Sequence, residues 1–408
     1  MTLRSRVPRK RAVMTAFDWN RLSAVVSEHA AAGEAPGAVM ALSHDGETQV
    51  ASVGARATDG AVPLSGDEVF RISSMTKPIA AALTLMLVEE GVLALDAPIE
   101  RWVPELADRR VLRRLDGPIA DTVPADRPIT VDDLLTMRMG FGFVFDTPCP
   151  AFERAAAAGL GLGPPDPSVP LTPDAWVARF AELPLMHQPG ADWMYELSFA
   201  VLGVVLARAG RQPLDDLLRD RLLDPLGMTD TGFEVPAQAL PRLVPCFTPG
   251  ENGLEVFDSA DAASRWNHRP SFPDARGGLV STASDYLRFA RMLLDGGTHE
   301  GTRLLSEQSV AAMITDHLGA DRDRSTSAQA FLSSGAGWGY GLEVLTTGVA
   351  PNARTTRYGW GGGLGSTWYS FPELDTAAVL LTQCLPPPEP LVTAFWSELI
   401  TMLGRRSR

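Results

Sequence analysis

Ser74 and Lys77 have the residue types and the spacing to act together in nucleophilic catalysis within this 408-residue chain. They precede an apolar segment, residues 79–90, which ends at Gly91 and is typical of a buried helix. Residues three positions apart lie on the same face of a helix, so the two side chains can meet. A serine hydroxyl needs a base within hydrogen-bond reach, and burial favours the neutral, basic form of lysine. The sequence therefore predicts an activated serine at this helix start.

The number of lysines makes this pair unusual. Of the 36 basic residues, 34 are arginine and only Lys10 and Lys77 are lysine. Arginine keeps its proton under all practical conditions, whereas lysine can release one when it is desolvated. A single lysine in the body of the chain is therefore a candidate for chemistry. The count alone leaves open that Lys77 has no functional role and occurs by chance in an arginine-rich composition.

Composition predicts a globular protein without nucleic-acid or membrane partners. The chain is 45% hydrophobic and 21% charged, and its net charge of −13 repels phosphate backbones and anionic lipid. Cys149, Cys246 and Cys384 are too scattered for a disulfide framework or a zinc site, so buried free thiols are expected. Residues 1–17 read as a flexible basic extension without a signal peptide, and we expect a cytoplasmic location.

Hydrophobic patterning predicts strands near both chain ends and helices between them. Strands are expected at 37–55 around an Asp45-Gly46 turn and at 340–345, 354–360, 367–371 and 376–382, and helices at 18–32, 131–137, 173–182, 197–209, 213–222, 283–294, 307–314 and 391–403. Residues 151–173, rich in Ala, Gly and Pro, are predicted to be a solvated connector, with a mobile flap over a site as the alternative.

This order of elements predicts an α/β fold of the α+β type, an antiparallel sheet built from both chain ends and flanked by helices. A mainly helical lobe is inserted into it. The predicted sheet domain comprises residues 18–75 and 237–404, and the helical lobe comprises residues 76–236. We expect the active site at their interface, because pockets form preferentially between such units.

The sequence resembles the β-lactamase and penicillin-binding-protein superfamily of serine hydrolases. It is most similar to class C β-lactamase-like esterases, the family VIII carboxylesterases, and the resemblance extends over residues 19–403. The segments that carry it occur in the family's order: 70–78 and 93–98 around the nucleophile, then 129–136, 189–195, 224–228, 277–282 and 358–363. The resemblance implies a β-lactamase-like fold and acyl-enzyme chemistry.

The resemblance also implies roles for individual residues. Ser74 corresponds to the acylated nucleophile, Lys77 to its proton partner, and Tyr195 to the family's catalytic tyrosine. The backbone N–H groups of Ser74 and Gly363 correspond to the oxyanion hole. The four other tyrosines are expected to be structural, Tyr286 on a helix face and Tyr340, Tyr358 and Tyr369 in strands.

Two departures from the family pattern bear on the substrate. The family's β-lactamases have an asparagine two positions after the tyrosine, where this chain has Leu197, and a Lys-Thr-Gly motif on the edge strand. Trp360, Gly361 and Gly362 stand in place of that motif, as in the esterase branch, and are predicted to bind substrate. The missing lysine removes a partner for a β-lactam or peptide carboxylate. Arg354 or Arg357 could replace it, although solvated strand positions are the expected roles of both.

The predicted function is that of a serine hydrolase without metal or cofactor. The expected substrate is a small ester or amide, and a carboxylesterase acting on short-chain or aromatic esters is the first hypothesis. An acyltransferase or a weak β-lactamase on the same fold is the alternative. A binding protein that has lost catalysis is the second alternative, and retention of Ser74, Lys77 and Tyr195 argues against it. No pattern indicates the oligomeric state.

Overall fold

The computed structural model describes residues 18–319, 325–347 and 354–406, so the predicted extension 1–17 lies outside the described residues. The α-helices in this part of the chain are α1 (Trp19–Ala31), α2 (Thr76–Glu89), α3 (Val131–Leu135), α4 (Pro150–Ala157), α5 (Pro173–Ala181), α6 (Ser198–Gly210), α7 (Leu214–Leu218), α8 (Ala283–Leu294), α9 (Glu307–Met313), α10 (Thr326–Phe331) and α11 (Glu389–Arg406). The strands are β1 (Gly37–His44), β2 (Glu47–Gly54), β3 (Phe70–Arg71), β4 (Arg110–Leu112), β5 (Thr122–Pro124), β6 (Cys246–Gly250), β7 (Gly253–Asp258), β8 (Val280–Ser281), β9 (Thr298–His299), β10 (Thr302–Arg303), β11 (Gly337–Trp338), β12 (Glu343–Thr347), β13 (Arg354–Gly362), β14 (Ser366–Phe371) and β15 (Thr376–Leu381).

A seven-stranded antiparallel sheet forms the centre of the fold. Its strand order is β11-β12-β13-β14-β15-β1-β2. The hairpin β1–β2 turns at Asp45-Gly46, and β1 then pairs with β15, where Val39 faces Leu381. The predicted sheet built from both ends of the chain is confirmed.

Both faces of the sheet are covered. Successive side chains of a strand point to opposite faces, and along β1 they enter two different hydrophobic cores. Along β1, Met40 and Leu42 pack into a core with α1 and α11. Val39 and Ala41 point the other way, into the main core that also contains α8. Every residue of β15 is buried, as expected for a strand covered on both sides.

Helices α2 to α7 lie within residues 76–236, the predicted helical lobe. Residues Thr76 to Leu87 of α2 are all buried, as its apolar sequence predicts. Val39 of the sheet, Leu83 of α2 and Phe199 of α6 belong to one hydrophobic core. The two parts therefore share a core, and their division at residues 75/76 and 236/237 stays a prediction.

Two local predictions are wrong. Residues Pro150 to Ala157 form helix α4, because proline suits the first turn of a helix and an alanine-rich segment follows it. Tyr340 lies in the turn between β11 and β12 rather than in a strand, where its hydroxyl donates to Asp132 at 2.9 Å. Among the described helices, none combines the length and apolar character needed to cross a membrane.

Candidate active site

The predicted nucleophile lies in a sharp turn between β3 and α2. Ser73 has a φ of 45°, in the left-handed region that residues other than glycine rarely adopt. Ser73 to Met75 form one turn of 3₁₀ helix, and α2 begins at Thr76. Ser74 therefore precedes the α-helix, while Lys77 lies in its first turn. The tighter 3₁₀ winding still brings residues three apart onto one side.

Contacts from distant parts of the chain hold this turn. The Tyr286 hydroxyl of α8 donates to the Met75 carbonyl at 2.9 Å, and the Ser366 hydroxyl of β14 donates to the Ile72 carbonyl at 2.8 Å. Gly362 lies so close that a Cβ there would be 2.3 Å from the Ile72 oxygen. The glycine predicted to bind substrate thus allows β13 to pack against the nucleophile turn.

Ser74, Lys77 and Tyr195 meet at one point. Lys77 Nζ donates to Ser74 Oγ at 2.9 Å, and the Tyr195 hydroxyl donates to the same oxygen at 2.7 Å. The Lys77 side chain is fully buried, and its Nζ lies 4.5 Å from the centre of the Tyr195 ring. The serine oxygen thus lies within hydrogen-bond reach of an amine and a phenol, two groups that can exchange a proton with it.

Aromatic packing and backbone contacts fix the position of Tyr195. Its backbone N–H donates to Ser327 Oγ of α10 at 3.1 Å, and its ring centre lies 4.4 Å from that of Phe331. A Cβ on Gly142 would be 2.4 Å from the Tyr195 carbonyl, so only glycine fits there. Trp360 Nε1 of β13 donates to the Tyr195 hydroxyl at 3.1 Å. This hydrogen bond holds the phenol oxygen in place beside Ser74 Oγ.

A cluster of buried charges behind Lys77 was not predicted from the sequence. Glu196 Oε2 lies 3.3 Å from Lys77 Nζ, and Glu196 Oε1 lies 3.7 Å from Arg276 Nη1. Arg276 Nη2 pairs with Asp274 at 2.6 Å. Burial lowers the pKa of the Arg276 guanidinium, but Asp274 and then Glu196 outweigh burial and raise this pKa above its ordinary value. Two cations and two anions thus alternate beside Ser74.

The sequence held one indication of this cluster. Glu196 is a charged residue within the otherwise apolar run from Trp193 to Leu197, and buried carboxylates are seldom found without a partner. Arg276 precedes the Gly277-Gly278 motif and gave no comparable indication among many arginines. Its proximity to Lys77 depends on how the whole chain folds.

Ser74 and Tyr195 open onto a cavity of about 770 Å³. Its lining includes the predicted binding residues Trp360, Gly361, Gly362 and Gly363. Further lining comes from Phe143, Gly163 to Pro165, Phe331 and Trp396. Gly163 to Pro165 belong to the segment whose alternative interpretation was a flap over the site, and they do lie against the cavity. The cavity is larger than a short-chain ester requires, and its surface is mainly apolar.

Arg357 lines this cavity. The prediction that it is a solvated strand residue is wrong. Its side chain is only 18% exposed, pairs with Glu343 at 2.9 Å and lies over the Tyr369 ring. Arg354 is exposed, as predicted. Arg357 is paired with Glu343 and Arg354 does not line the cavity, so neither arginine offers a free cation there.

Burial favours the protonated forms of the three cysteines and of the four tyrosines other than Tyr195. Burial raises the pKa of Cys246 to about 11 and that of Cys384 to about 12, and it also raises the pKa of Cys149. All three are free and buried, as predicted. Burial likewise raises the pKa of the four other tyrosines, Tyr286, Tyr340, Tyr358 and Tyr369. Among the described residues, no group of three or more His, Cys, Asp or Glu side chains is placed to hold a metal ion.

Comparison with known proteins places this geometry in a family. The family model for Beta-lactamase matches residues 22–401. An uncharacterized protein of Mycobacterium tuberculosis (strain CDC 1551 / Oshkosh) is 39% identical over 377 residues, covering 91% of this chain and 90% of the relative. Esterase EstB of Burkholderia gladioli is 29% identical over 341 residues, covering 78% of each chain.

The solved structure of EstCE1, a hydrolase with promiscuous acyltransferase activity, has the same fold. It superposes with a TM-score of 0.75 at 22% identity, covering 92% of this chain and 98% of that one. This match confirms the β-lactamase-like fold predicted from the sequence. With a family match over almost its entire length, the chain belongs to the Beta-lactamase family of serine hydrolases, which includes esterases.

Proposed function

We propose that this protein is a carboxylesterase that forms an acyl-enzyme at Ser74 and acts on short-chain or aromatic esters. The observation that carries the proposal is the position of Ser74 Oγ, which lies 2.9 Å from Lys77 Nζ and 2.7 Å from the Tyr195 hydroxyl at the wall of the cavity. The similarity to esterase EstB supports the same activity.

In the proposed reaction, Ser74 Oγ attacks the ester carbonyl carbon and its proton passes to the Lys77–Tyr195 pair. The backbone N–H groups of Ser74 and Gly363 stabilise the oxyanion. Tyr195 then delivers the proton to the leaving alcohol, and an ester to Ser74 remains. Water attacks this acyl-enzyme, gives its proton to the same pair, and releases the acid while Ser74 regains its hydrogen.

The lining of the cavity favours uncharged substrates. Its two arginines are paired, Arg276 with Asp274 and Arg357 with Glu343. A substrate carboxylate finds no free cation in this part of the described chain, so β-lactam hydrolysis is expected to be weak. The unused volume of the cavity favours acyl transfer to a second alcohol as the second candidate activity, which would use the same acyl-enzyme.

Labelling and burst kinetics test the proposal. With p-nitrophenyl acetate we expect a burst of p-nitrophenol equal to the enzyme concentration, followed by turnover, as acyl-enzyme chemistry produces. Ser74→Ala is expected to lower kcat by a factor on the order of 10⁴ or more. In intact-protein mass spectrometry, a fluorophosphonate should add one label to the wild type and none to Ser74→Ala.

Ser73→Ala is the matched control, because Ser73 is the adjacent serine and lines the same cavity. This variant should still accept the fluorophosphonate label. A label that persists in Ser74→Ala would show that Ser74 is not the nucleophile. Absence of label and turnover in the folded wild type would support the binding-protein alternative instead.

A further inference from the structure

Glu196 lies against the proposed catalytic groups but has no role in the reaction described above. It follows Tyr195 directly, is buried, and borders the cavity. Its two carboxylate oxygens face different cations, Oε2 towards Lys77 at 3.3 Å and Oε1 towards Arg276 at 3.7 Å. This places a carboxylate, paired with two cations, beside the amine that handles the serine proton.

The hydrogen bonds of Lys77 show what this carboxylate does to the amine. Besides Ser74 Oγ, Nζ has two partners, Glu196 Oε2 at 3.3 Å and the backbone carbonyl of Arg276 at 2.7 Å. An ionised carboxylate and a carbonyl can only accept hydrogen bonds, so each takes one N–H of Lys77. The remaining position of Nζ therefore points at Ser74 Oγ, 2.9 Å away.

The same carboxylate acts on the charge of the catalytic pair. A negative group beside Lys77 and Tyr195 makes the loss of a proton from that pair harder, whichever of the two releases it. The charged groups that face Glu196 are Lys77 from α2 and Arg276 from the loop before β8, and Arg276 is in turn paired with Asp274. Trp360 of β13 donates to Tyr195 but does not titrate in the working range.

We infer that Glu196 is a positioning residue that aims the Lys77 amine at Ser74 and sets the pH range in which the Lys77–Tyr195 pair can accept the serine proton. The inference rests on the proposed function. It assigns to this carboxylate an electrostatic effect that a merely structural side chain would not have.

The test is the pH profile of kcat/KM for p-nitrophenyl acetate in Glu196→Gln, which keeps the shape of the side chain and removes its charge. Proton loss from the catalytic pair becomes easier, so the acidic limb should move to lower pH by about one unit. The value at the optimum should fall about 10-fold, because the amine is less well aimed. Glu196→Asp keeps the charge, and its acidic limb should stay close to that of the wild type.

Glu105→Gln is the matched control. It removes the same charge from a surface ion pair with Arg208, and its acidic limb should not move. If Glu196→Gln does not fold, Arg276→Gln provides the opposite test. That variant removes a positive charge near the pair, so the acidic limb should move to higher pH.

An unmoved acidic limb in folded Glu196→Gln would overturn the inference, and so would a shift to higher pH. Ser74→Ala separates this failure from failure of the proposed function. If Ser74→Ala is inactive and the limb of Glu196→Gln is unmoved, only the role of Glu196 is wrong. If Ser74→Ala retains activity, the proposed function itself is wrong.

Discussion

Arg71 and Lys77 are buried cations six positions apart in the sequence. They differ in whether their hydrogen-bond partners border the cavity. Arg71 of β3 donates through Nε to Asp258 at 2.8 Å and through Nη1 to the Val244 carbonyl at 2.6 Å, and its Nη2 contacts Asp258 as well. Ser264 adds a hydrogen bond to the same carboxylate at 2.8 Å. These partners surround the guanidinium of Arg71, and Arg71 does not line the cavity at Ser74.

Lys77 is equally buried, but its partners border open space. Ser74 and Glu196 both line the cavity, and the contact between Lys77 and Glu196 is longer than those made by Arg71. The comparison shows that burial of a charge does not by itself indicate catalysis. A saturated guanidinium holds the fold together, whereas an amine whose partners face a cavity leaves room for a reactant and for a proton to move.

Exchanging the cation types should separate the two roles, and the largest effect is expected at the cavity. In Lys77→Arg the positive charge stays, but a guanidinium does not release its proton. We expect kcat/KM for p-nitrophenyl acetate to fall by a factor on the order of 10³. Circular dichroism and thermal unfolding should show a folded protein. Wild-type activity in Lys77→Arg would mean that Lys77 acts only as a fixed charge.

Arg71→Lys is the reciprocal exchange and should affect stability instead. Lysine cannot reproduce the fork that Arg71 presents to Asp258 and the Val244 carbonyl. Denaturant unfolding should show a loss of about 2–3 kcal/mol in the free energy of unfolding. The turnover per folded molecule should remain within about twofold of the wild type, since a surviving fold keeps the cavity intact. Lost activity at unchanged stability would contradict the comparison.

A smaller effect concerns the pH dependence of stability at the Arg71 cluster. Burial raises the pKa of Asp258, but the charge of Arg71 and several hydrogen bonds outweigh it, so this pKa lies below its ordinary value. A carboxylate with a lowered pKa stabilises the fold above its unfolded pKa, and the contribution is lost as pH falls through the folded value. Between about pH 5 and pH 2, Asp258→Asn should therefore lose about 1–2 kcal/mol less unfolding free energy than the wild type.

Asp116→Asn is the control for this measurement, because Asp116 forms an exposed pair with Arg114. Its dependence of stability on pH should follow the wild type more closely than that of Asp258→Asn. Equal slopes for the wild type and Asp258→Asn would show that the buried pair contributes nothing to acid sensitivity.

Local patterns predicted much of the fold. Helix α8 has the predicted bounds, 283–294, because Thr282 caps its start and one face is apolar. The β1–β2 hairpin was predicted from its Asp45-Gly46 turn, which glycine permits with a φ of 82°. Helix α4 was missed, since the Gly and Pro residues that follow it dominate the composition of that segment.

The candidate site was predictable only where its residues are close in sequence or match a known motif. Ser74 and Lys77 are one helical turn apart, so their spacing alone predicted the contact. Tyr195 was placed by resemblance, because no local pattern connects it with Lys77. Glu196 and Arg276 contact the Lys77 amine although both lie far from Lys77 in the sequence. No local sequence pattern predicts contacts between residues so far apart.

Because β1 pairs with β15, the central sheet can be completed only late in protein synthesis. A ribosome has made Ser74, Lys77 and Tyr195 well before it reaches Trp360 and the glycines that close around them. Until then β1 lacks its neighbour, and contacts so distant in sequence form slowly. An unfinished polypeptide thus carries Ser74 without the residues of β13 that line the same cavity, so we expect the proposed acylation only after translation is nearly complete.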